Sequence, residues 1–333
     1  MKIQDFIVIS NLTIGVTTVA FSKDAELIDE LKSVGFRKVL VNEPQRRFTQ
    51  DELIDFLSKC DIAIVGLDKI TEEVLSKVPN LKAISKYGVG LDNIDFDACK
   101  KHNVEVLHTQ GVNKRSVAEL ALGSMLSLSR NIYVTSNDLK NGNWNKSGGT
   151  QISGKTIGII GVGHIGKDIV ELLKPFGCKI LVNDIINQDE YYKENGLVET
   201  TKDEIYKNAD IITIHTPLTS ELKYLINKET LSIMKPNAIV INTARGGLIN
   251  QDDLKWALKN NIIAGAAIDA YEVEPPEDKE LISLPNLITT PHIGGNASEA
   301  VKAMGLAAIH NAVQYCQSYL KSGNTNAFIM DKE

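Results

Sequence analysis

Short apolar runs alternate with helical patterns of apolar residues along most of the chain. In the first 109 residues, five runs have the length and composition of buried strands. These runs are Phe6 to Ser10, Lys38 to Val41, Ile62 to Val65, Leu81 to Ser85 and Val104 to Leu107. Helical spacing of apolar residues separates them at Asp24 to Val34, Thr49 to Cys60 and Thr71 to Val78. This alternation predicts a parallel sheet with right-handed crossovers.

The same alternation resumes after residue 155 and predicts a second, larger sheet. The strand-like runs are Thr156 to Ile160, Lys179 to Val182, Ile211 to His215, Ala238 to Asn242, Ala264 to Asp269 and Leu287 to Thr290. The helical patterns are Lys167 to Phe176, Lys202 to Lys207, Lys228 to Ile233 and Gln251 to Lys259. The fold class is therefore α/β with two doubly wound parallel sheets, and ligands should bind outside the carboxyl ends of the strands.

Two long apolar helices flank the second sheet. Ser116 to Ile132 is apolar nearly all round, which predicts burial within one chain or across a subunit interface. A polar stretch from Asn137 to Gly154, which contains Trp144, is typical of a connecting segment. Ala297 to Leu320 predicts a helix that returns to the first domain, with a polar tail after it. We therefore predict one domain from residues 1–109 and 295–333, and a second from residues 110–294.

The segment from Gly161 to Gly166 has the pattern G-x-G-x-x-G. It lies between a predicted strand and a predicted helix, and Asp184 ends the next strand eighteen residues after Gly166. In this context the glycines allow a tight turn, close approach of a pyrophosphate and close helix packing, while the carboxylate binds a ribose diol. The segment predicts a dinucleotide site, and an ordinary glycine-rich turn is the alternative.

The composition of the chain argues against several classes of protein. A length of 333 residues favours two domains, and a net charge of −6 argues against a nucleic-acid surface. Four cysteines without a C-x-x-C pair, and no His, Asp or Glu group at ligand spacing, indicate reduced thiols and no metal site. No window has eighteen uncharged apolar residues, and the first residues lack the apolar core of a signal peptide. We expect a cytoplasmic protein with no membrane partner.

Three polar residues at the ends of predicted strands could perform chemistry. Arg245 follows a buried strand and precedes two glycines, so its cation should pair with a protein carboxylate or with a substrate. His292 ends the last strand, and Glu274 follows the strand that ends at Asp269. A histidine held by a carboxylate suits general acid–base catalysis, although a lone histidine is more often structural. The sequence leaves open whether Glu274 reaches His292.

A glycine-containing loop follows the strand Leu81 to Ser85 in the first domain. It extends from Lys86 to Asp95 and contains Gly88 and Gly90. Glycines after a strand can leave consecutive backbone N–H groups uncovered, and such a nest binds carboxylates. Turn formation alone explains the glycines equally well.

Four stretches together resemble the D-isomer-specific 2-hydroxyacid dehydrogenase family, in matching order and spacing over nearly the whole chain. They are Tyr87 to Asp95, Gly161 to Gly166, Asn242 to Ile249, and Gly265 to His292. Within this family the chain is most similar to 3-phosphoglycerate dehydrogenases that lack regulatory domains. The resemblance implies a Rossmann NAD-binding domain inserted in a flavodoxin-like substrate domain, and a 2-hydroxyacid or 2-oxoacid as the small-molecule partner. We also expect a homodimer or a higher homo-oligomer.

The resemblance also implies a role for each matched residue. Arg245 would hold the substrate carboxylate and the reacting oxygen, His292 would exchange the hydroxyl proton, and Glu274 would orient His292. Substrate would also bind at Lys86 and at the backbone amides of Val89 and Gly90. The cofactor would be NAD, because Asp184 disfavours a 2′-phosphate. The implied cofactor-binding residues are Gly161, Gly163, His164, Ile165, Gly166, Asp184, His215, Thr216, Pro217, Thr243, Ala244, Asp269, His292, Gly294 and Gly295.

One departure leaves the substrate open. Phosphoglycerate dehydrogenases that resemble this chain have arginines where it has Gly66 and Lys86. Lysine is a point charge that cannot bind a phosphate bidentately. We therefore expect hydride transfer between NAD(H) and C2 of a D-2-hydroxyacid or 2-oxoacid, with 3-phosphoglycerate or a related small acid as candidates. The alternatives are a glyoxylate or hydroxypyruvate reductase, and an NAD(H)-sensing, corepressor-like binding protein.

Overall fold

The computed structural model describes residues 9–321, with the side chains of residues 9–318. This part of the chain forms two compact units. The first extends to Asn113 and resumes at Ser298, and the second is Lys114–Ala297. The domain boundaries predicted after residues 109 and 294 stay predictions.

The first unit contains a five-stranded parallel sheet with the order β2-β1-β3-β4-β5. Its strands are Thr13–Val16 (β1), Lys38–Val41 (β2), Ile62–Val65 (β3), Ala83–Lys86 (β4) and Glu105–Leu107 (β5). This order is that of flavodoxin-like folds, which places the switch point between β1 and β3. The predicted fold class is confirmed for this unit.

Helices cover both faces of this sheet. They are Val19–Lys23 (α1), Ala25–Ser33 (α2), Gln50–Leu57 (α3), Glu72–Leu75 (α4), Phe96–Lys101 (α5) and the return helix Ser298–Lys321. The first five begin at a Thr or Asp whose side chain accepts a bond from a backbone N–H of the first turn. The return helix packs against β3, β4 and β5, and the Ser85 hydroxyl donates to the Ala308 carbonyl at 2.7 Å.

The first predicted strand is wrong in the part that the structure describes. Ile9 and Ser10 lie in a helical turn, closed by a bond from the Leu12 amide to the Ile9 carbonyl at 3.1 Å. The strand forms instead at Thr13–Val16, which is buried at every position. The remainder of the predicted strand, residues 6–8, lies outside the described residues, as does the predicted polar tail.

The second unit contains a seven-stranded parallel sheet with the order β12-β11-β10-β9-β6-β7-β8. Its strands are Thr156–Ile160 (β6), Lys179–Asn183 (β7), Val198–Glu199 (β8), Ile211–Ile214 (β9), Ile239–Asn242 (β10), Gly265–Ile268 (β11) and Leu287–Thr289 (β12). Counted from β6, this is the doubly wound Rossmann order with one strand added. The predicted fold class is confirmed here too.

Eight α-helices are described in this unit, and apolar clusters pack on the two faces of the sheet. The helices are Lys114–Ser129 (α6), Ile132–Lys140 (α7), His164–Leu173 (α8), Asp189–Glu194 (α9), Lys202–Asn208 (α10), Lys228–Ser232 (α11), Gln251–Lys259 (α12) and Lys279–Ile282 (α13). No helix within residues 9–321 is long and apolar enough to cross a membrane.

The long helix predicted at Ser116 to Ile132 differs from the observed one in extent and burial. It ends at Ser129, because Asn131 takes a left-handed conformation with a φ of 54°. A second helix, α7, then occupies the start of the predicted connecting segment. Burial of α6 is one-sided: Met125 is buried, whereas Glu119 is exposed. The apolar residues on its other face are only half-buried within this chain.

Candidate active site

The turn after β6 has the geometry of a phosphate-binding loop. Gly161 has a φ of 95°, and a Cβ there would lie 2.6 Å from the His215 carbonyl oxygen. A Cβ at Gly166 would lie 2.2 Å from the Gly161 oxygen, so the helix packs closely on the turn. Helix α8 begins at His164, and its N-cap Gly163 makes no side-chain capping bond. The first backbone N–H groups of α8 can therefore bind a pyrophosphate.

Asp184 lies directly after β7 and is fixed beside the glycine loop. One carboxylate oxygen accepts from the Val162 amide at 2.6 Å, and the other accepts from the Ile186 amide at 3.0 Å. The adjacent Ile185 and Ile186 side chains are exposed. A carboxylate in this position suits a ribose diol and repels a 2′-phosphate.

Three buried polar atoms lie just after β9 and β10 without a hydrogen-bond partner among the described residues. They are Nδ1 of His215 and Oγ1 of Thr216 and Thr243. Buried polar atoms in native proteins are nearly always hydrogen-bonded. Together with the glycine turn, where Cβ atoms do not fit, these atoms fit a polar dinucleotide bound along this edge of the sheet.

His215 is a neutral imidazole in the folded protein. Burial lowers its pKa from 6.5 to about 3, and its Nε2 lies 2.7 Å from the Thr213 hydroxyl oxygen. His215 therefore cannot act as a charged proton donor near neutral pH. Its place beside the loop at Gly161 suits a structural or cofactor-contacting role.

The lowered pKa of His215 predicts a pH-dependent stability. Between pH 3 and 6.5 the unfolded chain binds a proton at His215 that the folded chain excludes, so the free energy of unfolding rises with pH. The slope from this residue is at most about 1.4 kcal/mol per pH unit. Urea unfolding of ligand-free protein at pH 7 and 5.5 should show a smaller difference for His215→Asn than for wild type. Equal differences would contradict the prediction.

The structure brings Glu274 and His292 together. Nδ1 of His292 lies 2.8 Å from Oε1 and 3.0 Å from Oε2 of Glu274. An ionised carboxylate only accepts hydrogen bonds, so Nδ1 carries the proton and Nε2 is the nitrogen that can exchange one. The His292 side chain is 42% exposed, which leaves it accessible to a substrate.

Asp269 fixes the loop that carries His292. It lies after β11 and is 1% exposed. One of its carboxylate oxygens accepts from the Thr290 hydroxyl at 2.6 Å and the Ile293 amide at 2.8 Å, and the other accepts from the Gly294 amide at 2.7 Å. These bonds lie on both sides of His292 in the sequence. Asp269 is therefore a positioning residue for His292, in addition to its implied contact with the cofactor.

Two further positioning residues have no signal in the sequence. The Tyr271 amide donates to Glu274 at 3.1 Å, and the Tyr271 hydroxyl donates to the Thr290 carbonyl at 3.0 Å. Burial raises the pKa of Tyr271 to about 12, so the hydroxyl stays protonated. The Ser116 hydroxyl donates to the Gly294 carbonyl at 2.6 Å. Ser116 is far from this loop in the sequence, and no local pattern distinguishes it from other helix serines.

Arg245 lies in the loop after β10, and hydrogen bonds of the Asn242 side chain fix the conformation of this loop. The Asn242 side chain accepts from the Ala244 amide at 3.0 Å and donates to the Arg245 carbonyl at 2.8 Å. The Arg245 guanidinium donates to the Ala244 carbonyl at 2.8 Å. A Cβ at Gly246 would lie 2.0 Å from the Tyr271 carbonyl carbon. The arginine loop thus packs directly on the segment that leads to Glu274.

The other residues implied to bind cofactor lie on the same edge of the sheet. His164 is exposed and Ile165 half-buried at the start of α8, while Pro217 is exposed, Ala244 buried and Gly295 half-buried. Among the described residues, no group of three or more His, Cys, Asp or Glu side chains is placed to hold a metal ion.

The substrate-binding candidates Lys86, Val89 and Gly90 belong to the first unit. Gly88 has a φ of 106°, and Val89 and Gly90 are half-buried. Within residues 9–321, no hydrogen bond is donated by the backbone amide of Val89 or Gly90. Lys86 is 3% exposed, and its ammonium group contacts neighbouring loops.

Known proteins resemble this chain over most of its length. Residues 122–294 match the family described as D-isomer specific 2-hydroxyacid dehydrogenase, NAD binding domain. D-3-phosphoglycerate dehydrogenase of Methanocaldococcus jannaschii is 41% identical over 262 residues, which cover 77% of this chain and 50% of the relative. Hydroxypyruvate reductase of Thermotoga maritima is 35% identical over 283 residues, which cover 82% and 92%.

A solved structure shows the same likeness in three dimensions. D-lactate dehydrogenase from Aquifex aeolicus, complexed with NAD and lactic acid, has a TM-score of 0.77 and 28% identity, over 93% of this chain and 96% of that one. The chain spans only about half the length of the phosphoglycerate dehydrogenases from M. jannaschii and Bacillus subtilis, 50% and 54%. Its second unit is an NAD-binding Rossmann domain, and the chain belongs to the D-isomer-specific 2-hydroxyacid dehydrogenase family.

Proposed function

We propose that the protein is an NAD-dependent D-2-hydroxyacid dehydrogenase, which interconverts a D-2-hydroxyacid and the corresponding 2-oxoacid. The observation that carries this proposal is the bond between His292 and Glu274 at 2.8 Å. Glu274 follows β11, and His292 follows β12. Both strands belong to the sheet that contains β6, the strand before the dinucleotide loop. A hydrogen-bonded acid–base pair on an NAD-binding sheet suits proton transfer coupled to nicotinamide chemistry.

When bound, NAD(H) accepts or supplies the hydride at C2 of the substrate. The proton and the charge are handled by the protein's own residues. In reduction, Nε2 of His292 donates a proton to the oxygen on C2, and Glu274 stabilises the charge change on the imidazole. In oxidation, Nε2 accepts that proton. Arg245 binds the reacting oxygen and the carboxylate through charge-assisted hydrogen bonds.

The proposed substrate is a small acid with an oxygen on C2. The names of the relatives, which include phosphoglycerate dehydrogenase, hydroxypyruvate reductase and glyoxylate reductase, share this chemistry. The uncommitted amides of Val89 and Gly90 support a role in carboxylate binding.

A substrate panel tests the proposed function. Purified protein should oxidise NADH with at least one of glyoxylate, hydroxypyruvate, phosphohydroxypyruvate and pyruvate, and NADH should be preferred to NADPH because of Asp184. The ratios of kcat/KM then rank the substrates. Protein that binds NADH but turns over no member of the panel would refute the proposal and favour the NAD(H)-sensing alternative.

We also propose a cytoplasmic homodimer. Ile132 and Leu139 lie two turns apart on α7 and are 53% and 57% exposed, and Trp144, which follows α7 in the sequence, is 80% exposed. An apolar surface of this kind is typical of a protein interface. Sedimentation that gives a monomer mass at micromolar concentration would contradict the dimer.

The cysteines support the cytoplasmic location. All four are free thiols, which suits a reducing compartment.

A further inference from the structure

The ammonium group of Lys86 joins two loops at the carboxyl end of the first sheet. Lys86 is the last residue of β4 and is 3% exposed. Its Nζ donates to the Gly66 carbonyl and, at 2.8 Å, to Oδ1 of Asn93. Gly66 directly follows β3, and Asn93 lies in the loop that follows β4. The cation therefore spans neighbouring strand ends next to the β1/β3 switch point of the sheet.

Asn93 makes a second set of bonds between the same two loops. Its Nδ2 donates to the Gly66 carbonyl at 3.1 Å and to the Asp68 carbonyl at 2.5 Å. Its backbone carbonyl accepts from the Ile70 amide at 2.8 Å. The Asp68 side chain in turn accepts from the Thr17 hydroxyl at 2.5 Å, which adds the end of β1. Lys86 and Asn93 thus close one connected network, which we call the loop lock.

The loop lock fixes the segment that carries the candidate carboxylate nest. The amides of Val89 and Gly90 lie between Lys86 and Asn93 in the sequence, so both ends of the nest are tied to the loop after β3. Burial of an ammonium group costs free energy unless the group is hydrogen-bonded. The Lys86 ammonium donates to the Gly66 carbonyl oxygen and to the side-chain amide oxygen of Asn93.

We propose that Lys86 is a positioning residue for the carboxylate nest and does not select a 3-phosphate. This inference rests on the proposed function, and it changes the role expected from the sequence, where Lys86 stands in place of a phosphate-binding arginine. The lock holds the Val89 and Gly90 amides in one arrangement, and every 2-oxoacid substrate uses that arrangement equally.

Removal of the lysine tests this role with two substrates that differ only in the phosphate. Lys86→Met should lower kcat/KM for hydroxypyruvate and for phosphohydroxypyruvate by a similar factor, about tenfold to a hundredfold. Asn93→Ala, which keeps the charge, should also affect both substrates equally. The double variant should lose little more than Lys86→Met alone, because the two residues act in one network. The control Lys82→Met removes a lysine paired with Asp61 near the other end of β4 and should keep wild-type kcat/KM.

A loss confined to phosphohydroxypyruvate would overturn the proposal, because it would show that Lys86 contacts the phosphate. Strictly additive losses in the double variant would overturn the loop lock. Hydrogen exchange gives a readout independent of turnover. In Lys86→Met, faster exchange is expected at the Ile70 amide, which donates to the Asn93 carbonyl, and at the Tyr87 amide, which donates to the Val65 carbonyl. The Gly161 amide, which donates to the Asn183 carbonyl in the other unit, should not change. If wild type turned over neither substrate, the proposed function would fail, and the exchange result alone would decide whether the lock exists.

Discussion

Replacing His292 with Gln is expected to lower kcat for NADH-dependent reduction by about 10²–10⁴-fold, the range that general acid–base catalysis contributes. In the proposed reaction the imidazole donates a proton to the substrate oxygen, because Glu274 occupies Nδ1 and leaves Nε2 for exchange. Glutamine keeps a polar side chain of similar reach but cannot transfer a proton near neutral pH. Steady-state kinetics with the best substrate of the panel measures the effect.

The control for this prediction separates catalysis from cofactor binding. NADH affinity of His292→Gln, measured by fluorescence titration, should fall by a much smaller factor than kcat, because the glycine loop and Asp184 are untouched. Glu274→Gln should give a smaller loss in kcat, since the imidazole remains but its orientation is less strongly fixed. Activity of His292→Gln within tenfold of wild type would exclude His292 as the proton donor.

The sequence predicted the fold well because both sheets are buried on two faces. Both Ile62–Val65 and Ile211–Ile214 are buried at every position. In the sequence the first is an unbroken apolar run, and the second is interrupted only by Thr213. The exception is instructive: β1 contains Thr13 and Gly15, whereas the preceding residues form a more apolar run. Composition therefore favoured a strand that included Ile9 and Ser10, which lie in a helical turn, over Thr13–Val16, which forms β1.

The candidate site was predictable where residues sit at strand ends, and not where they act through backbone geometry. Arg245 and His292 follow predicted strands, so the sequence places them at one edge of the sheet. The bonds from Asp269 to the Ile293 and Gly294 amides depend on the path of a loop, which no periodicity encodes. The burial of Lys86 could not be predicted either, because the sequence does not show where the ammonium group of a lysine side chain lies.

Substitution of Gly246 by Ala is expected to destabilise the protein by about 3 kcal/mol or more. The added Cβ would lie 2.0 Å and 2.2 Å from the Tyr271 carbonyl carbon and oxygen, and 2.4 Å from the Glu272 nitrogen. These are backbone atoms, so no side-chain rotation can relieve the overlap. The free energy of unfolding in urea measures the loss, provided that m is unchanged.

The same substitution should also lower activity, because the clash acts on two parts of the proposed catalytic set, Arg245 and Glu274. Gly246 follows Arg245, and Tyr271 donates its amide to Glu274 at 3.1 Å. Gly148→Ala is the matched control: a Cβ there meets nothing within 4 Å, so it tests the entropic effect of losing a glycine without a clash. A Tm for Gly246→Ala within about 2 °C of this control would contradict the prediction. It would mean that the arginine loop can move away from the Tyr271 segment at little cost, and that Arg245 is not held in place by packing.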